Sequence, residues 1–159
     1  MASSSLYRAL PAARRLMLVT HLLTTRTDAR AVFIQRLISR GGGFRAVTLG
    51  RWPLDQLARE VVRLNAQSAD DEMDLLQALY VEVEPAIQTA FLDAAGVPHE
   101  AGVIAESAEP PFADAAAVAR AAALVRERHG EEGMQYLRTI ARYNGAAWPG
   151  IDLMLATAS

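Results

Sequence analysis

The sequence predicts an all-α fold: a compact single-domain bundle of six to eight helices around a long central helix kinked near Pro85. Three observations predict it. From Ser68 to Gly96 the start signal, the apolar spacing and the stop signal all agree on a helix. Apolar residues recur at steps of three or four through several further segments, the spacing of one helix face. The hydrophobic fraction of 52% owes much to alanine, which favours close helix–helix approach over large interdigitating side chains. At 159 residues the chain fits one domain, residues 1–159, able to bury a real core.

Residues 1–5 have little to hold them and are expected to be disordered. A first helix is expected from Pro11, whose missing N–H costs nothing there, to about Thr24. Ala12, Leu16, Val19 and Leu23 form its buried stripe, with Arg14, Leu18 and His21 on other faces. A second helix begins near Thr27 or Asp28, carries Phe33, Ile34, Leu37 and Ile38, and stops at Gly41-Gly42-Gly43. Phe44 to Trp52 reads as a connector, since a strand there has no evident partner. Trp52-Pro53 opens a third helix with Leu54, Leu57, Val61 and Leu64 on one face, closed by Asn65 or Gln67.

Ser68 is suited to cap the central helix, and Asp71, three residues on, permits a capping box. Asp70, Asp71, Glu72 and Asp74 sit at the positive end of the helix dipole. Met73, Leu76, Tyr80, Val83, Ile87, Phe91 and Ala94 share one face. Gly96 ends the helix, with Val97 placed against Leu92 in a Schellman cap and Pro98 blocking continuation. Pro85 conflicts with this pattern, because it has no N–H for the Val81 carbonyl, and Val81-Glu82-Val83-Glu84 alternates like a strand. A kinked helix, two helices joined at Pro85, and a short strand are the three readings. The apolar stripe keeps helical phase across Pro85, which favours the kink or a tight break.

Residues 97–112, with Pro98, Pro110 and Pro111, are expected to form a looser connector holding a short helix over 100–105. Asp114 caps a helix from Ala115 to His129 that Gly130 ends. Glu131 and Glu132 start another, with Met134, Leu137 and Ala141 in one stripe and Tyr136, Ile140 and Tyr143 beside it, stopped by Asn144-Gly145. Trp148-Pro149 opens a last short helix bearing Ile151, Leu153, Met154 and Leu155. The two Trp-Pro pairs share a way of starting a helix, but little else aligns around them, so no repeat is inferred.

There is no cysteine, which removes disulfides and thiolate metal sites. Leu16 to Leu23 is the nearest approach to a membrane span and is too short, so no transmembrane segment is expected. The arginine-bearing, acid-free first 27 residues have the composition of an organelle transit peptide. Leu16, Val19 and Leu23 read instead as core, and the expectation is a bacterial-type cytoplasmic protein with the transit peptide left open.

All sixteen basic residues are arginine. Residues 1–65 hold eleven of them against three acids, a net +8, and residues 66–159 hold five against fifteen acids, a net −10. Such a split arises where the halves neutralise each other inside a fold or across a dimer. It arises equally where a basic half meets nucleic acid or a membrane.

The best anion-facing candidate is Arg40-Gly41-Gly42-Gly43-Phe44-Arg45, with Arg51 nearby. Glycine amides at Gly42 and Gly43 can cradle an oxyanion, and Arg40, Arg45, Arg51 and Phe44 can hold phosphate and stack a base. The stretch matches neither a P-loop nor a dinucleotide fingerprint. A helix-turn-helix around Leu57-Ala58 fails, because Val62-Arg63 stands where the turn should be and the next helix opens with acids. A second cluster is Tyr80, Glu84, Gln88, His99 and Glu100, whose metal or acid–base use would need these side chains brought together; no second ligand-spaced histidine accompanies it. Tyr136, Tyr143 and Trp148 offer an aromatic ligand wall, but aromatics at helical spacing are more often core or interface, and the three stand as interface candidates. No metal, cofactor or catalytic set is expected.

These residues point to a non-enzymatic helical interaction or assembly protein that associates with itself, through an alanine-rich or aromatic helix face, or with another protein. The alternative is sequence-independent nucleic-acid binding by the arginine-rich half. A small-ligand or metal-dependent helical enzyme stands third.

Overall fold

The computed structural model describes residues 4–157. Apart from one two-stranded hairpin, the described residues are helical wherever they are regular, so the fold is all-α. The chain divides into two compact units, residues 1–75 and 76–159.

The first unit holds α1 (Leu6–Ala9), α2 (Ala12–Thr25), α3 (Thr27–Ser39), α4 (Ala46–Gly50), α5 (Leu54–Val61) and the head of α6 (Ala69–Ala78). Prolines 11 and 53 stand just before α2 and α5, where a missing N–H is harmless. α2 packs on α3 and α5, and Leu18, Val19, Leu22, Leu23, Phe33, Leu37, Leu57 and Val61 are buried. This corrects the expected α2 stripe. Leu18 and Arg14 are buried, whereas Ala12 and Leu16 are exposed. The connector over 44–52 contains the short helix α4, anchored by fully buried Leu49. α5 ends at Val61, earlier than Asn65.

The disorder expected over residues 1–5 falls partly on residues 1–3, which lie outside the described residues. Ser5 is held: its Oγ accepts from the Arg8 N–H and donates to the Glu72 carboxylate. The Tyr7 N–H also donates to that carboxylate, at 3.0 Å. At the head of α6 the Ser68 Oγ accepts from the Asp71 N–H at 3.1 Å. Asp71 closes the box one residue upstream of the expected place, accepting from the Gln67 N–H at 2.8 Å.

In the second unit α6 widens into a π turn, Leu79–Val83, and the chain leaves helical geometry at Glu84 (φ −127°, ψ 58°). The Glu84 N–H donates to the Leu79 carbonyl at 2.7 Å. Pro85 then takes the first position of α7 (Pro85–Ala95), where its ring crowds no preceding turn. Of the three readings of Pro85, two helices joined by a tight break is the one observed. α7 ends in the expected Schellman cap: Gly96 is left-handed (φ 73°), its N–H donates to Asp93, and Val97 donates to Leu92. Residues 100–105 are not helical. β1 (His99–Glu100) and β2 (Val103–Ile104) pair antiparallel across a two-residue turn, Ala101-Gly102.

α8 (Ala115–Asn144) follows, capped by Asp114, whose carboxylate accepts from the Ala117 N–H at 2.7 Å. Gly130 breaks it with a backbone only glycine adopts readily (φ 53°, ψ −128°), so the two expected helices are its two arms. A 3-10 turn, Gly145–Ala147, leads to α9 (Ile151–Thr157). α8 packs against both α7 and α9.

Candidate functional site

The arginine-glycine stretch forms the joint between α3 and α4. Gly41 and Gly43 both have positive φ, 82° and 72°, which lets α3 end and the chain turn within a few residues. Arg40 closes α3, while Arg45 and Arg51 bracket α4. All three side chains are exposed. No ion pair engages them among the described residues, in contrast to the Arg36–Asp71, Arg59–Asp55 and Arg63–Glu60 pairs of the same unit.

Phe44 is already occupied. Its ring meets Trp52 edge to face at 5.1 Å, and a Cβ on Gly42 would stand 2.9 Å from it. Phe44 is half-buried and packs within the joint against Trp52. Gly42 leaves room for that ring.

Of the second cluster, Gln88 and His99 meet at the hairpin turn that Glu100 leads into. The Gln88 amide donates to the Gly102 carbonyl, and the Gly102 N–H donates to His99 Nδ1 at 3.2 Å. Since Nδ1 accepts, Nε2 carries the ring proton and donates to Asp93 at 3.0 Å. Tyr80 is buried in the core, Glu84 sits at the helix break, and Glu100 is exposed on β1. Gln88 and His99 thus act as braces for a turn. Among the described residues no three His, Asp or Glu side chains gather as a metal-ligand set.

The interface candidates also divide. Tyr136 and Trp148 are buried in the second unit. Tyr80, Tyr136, Phe91 and Trp148 form an edge-on series that a tilted Phe112 extends, with successive centroids 5.0–5.6 Å apart. Of the core and interface readings, Tyr136 and Trp148 take the core. Burial, and then neighbouring Tyr80, pushes the Tyr136 phenol well above its ordinary value. Tyr143 is half-buried and lines an open groove of about 600 Å³ with Pro110, Pro111, Asn144 and Asp152.

The feature that sequence reasoning missed is α2. Its exposed residues are Ala12, Ala13, Leu16, Met17, Thr24 and Thr25, none of them charged, with Leu16 38% and Met17 44% exposed. The helix turns its charge inward: Arg14 is buried, and Arg15 Nε is enclosed without a hydrogen-bond partner. Arg15 lies close enough to the buried Tyr7 to offset part of the rise that burial gives its phenol, while Asp71 adds to that rise. Beside the outer face runs an apolar groove of about 390 Å³, lined by Leu16, Thr20, Leu54, Asp55 and Arg59. The available signal was the doubled apolar pattern of α2, in which Leu18 and Leu22 make a second stripe next to Val19 and Leu23.

Comparison with protein families, curated proteins and solved structures finds no match to this chain. Among the described residues no helix is long and apolar enough to cross a membrane.

Proposed function

We propose that this chain is a helical assembly protein that self-associates through the outer face of α2. The observation that carries the reading is the absence of charge from every exposed residue of that helix. Apolar side chains in water there, Leu16 and Met17 above all, gain by being covered.

A second copy of the chain is the partner that the charges favour. The first unit holds eleven arginines against seven acids, a net +4, so its like charges disfavour bringing two copies of the unit together through charged faces. An uncharged face meets itself without that penalty, as a two-fold contact requires. The groove rim adds Asp55 and Arg59, paired at 2.7 Å, which offer both signs side by side. A two-fold copy can exchange them.

The test is light scattering over a range of concentrations on the wild-type chain and on Leu16→Glu and Met17→Glu. The wild type is expected to run well above 17.2 kDa and each variant to return to that mass. Both positions are exposed enough to accept a carboxylate in the folded protomer. A wild-type chain that stays monomeric at every concentration contradicts the reading. An assembly that survives both substitutions places the contact elsewhere.

A further inference from the structure

The joint between α3 and α4 carries a second surface, made by other residues than the α2 contact. Residues 29–54 contain five arginines and no acid. Asp71 engages Arg36, and Arg40, Arg45 and Arg51 stand exposed around α4 with no ion pair among the described residues. α4 sends Leu49 into the core and leaves Ala46, Val47, Thr48 and Gly50 outward, with Val47 66% exposed. Trp52 sits half-buried at its end, edge-on to Phe44.

We infer that this joint docks on the surface of an anionic lipid bilayer, with the arginines on headgroup phosphates and Val47 dipping into the apolar boundary. Cations around an uncharged apolar tip, with an indole beside it, are what a bilayer surface accepts. A nucleic acid would use the same arginines but has no place for an exposed valine. The Phe44 ring, which would stack on a base, is half-buried and engaged edge to face with Trp52. With one short helix and no long apolar segment, the attachment is weak and reversible, and salt releases it.

The experiment is cosedimentation of the full chain with vesicles of phosphatidylcholine alone and of phosphatidylcholine mixed with phosphatidylglycerol, followed also by tryptophan emission. Trp148 is buried, so a shift to shorter wavelength reports on Trp52. Binding is expected only with phosphatidylglycerol present. Each arginine changed to glutamine lowers partitioning about fivefold, so Arg40→Gln, Arg45→Gln and Arg51→Gln together lower it on the order of a hundredfold. Val47→Leu raises it about fourfold, for one added methylene, and Val47→Asp abolishes it. These positions are exposed, and circular dichroism checks that the variants keep their helix content. Binding equal on both vesicle types, or indifferent to Val47, overturns the inference. Absence of vesicle binding with salt-sensitive retention on immobilised poly(U), lost in the arginine variants, overturns it in favour of nucleic acid. Absence of both overturns it outright.

Discussion

The Arg36 guanidinium grips the Asp71 carboxylate with both terminal nitrogens, at 2.9 and 2.6 Å. Asp71 simultaneously closes the cap of α6 on the Gln67 N–H, so one carboxylate ties α3 to the start of another helix. The two side chains are only 17% and 18% exposed, which places the pair between a surface bridge and a buried one. Arg36→Met is expected to lower stability by about 1–3 kcal/mol in urea unfolding. Arg36→Lys should recover only part of that, since an ammonium has no fork to match the carboxylate. Full recovery by lysine would mean that charge alone sustains the contact.

Gly133 is the point where the arms of α8 fold back on each other. A Cβ there would stand 2.5 Å from the Val125 carbonyl oxygen and 2.9 Å from Val125 Cγ1. Gly133→Ala gains about 1 kcal/mol of helix propensity in isolation. Here it is expected to destabilise by about 1–3 kcal/mol, because backbone and not a flexible side chain blocks the new methyl. Thermal unfolding decides the sign, and a higher melting temperature would refute the close approach.

The hairpin turn runs the other way. Ala101 has φ 49° and Gly102 φ 87°, the two positive values that a type I′ turn requires. Alanine is poorly suited to the first, and asparagine tolerates it. Ala101→Asn should stabilise by about 0.5–1 kcal/mol, read as increased hydrogen-exchange protection at Gly102 and Val103. Unchanged protection would count against the strain.

Tyr7 and Tyr136 bear on alkaline stability. Both phenols are pushed above the ordinary value of 10.0 by burial. Below that value folded and unfolded chains hold these protons equally, so stability is level. Above it the unfolded chain releases them first, and stability falls by about 1.4 kcal/mol per pH unit for each such tyrosine. Urea midpoints should therefore drop from pH 10 upward, and Tyr136→Phe should shallow the drop. A midpoint flat between pH 9 and pH 11 would contradict the burial of these hydroxyls.

What could be read from the sequence was what short-range chemistry decides. Ser68, Gly96, Asp114 and Gly130 mark helix ends through their own hydroxyl, carboxylate or missing Cβ, and each marks one here. The buried face of α2 is decided by what packs on it. Eight apolar residues on that helix allow two phases, and the structure takes the one that covers Leu18 and exposes Leu16. α4 depends on a single anchor, Leu49, and the hairpin has two-residue strands and an Ala-Gly turn, so neither leaves a periodic trace. The exposed arginines around α4 were visible in composition. That Phe44 is held by Trp52 was not, because it follows from how the joint closes. The inward turn of Arg14 runs against residue-type expectation altogether.

The chain has no cysteine, so Met17→Cys introduces a single thiol at the centre of the proposed contact. In an isologous dimer, residues near the two-fold axis meet their own copies. A short bismaleimide crosslinker should therefore convert this variant efficiently to a covalent dimer of twice 17.2 kDa, while Val47→Cys, exposed on α4 outside the proposed contact, stays largely uncoupled. Equal and slow coupling of both variants would contradict self-association through α2.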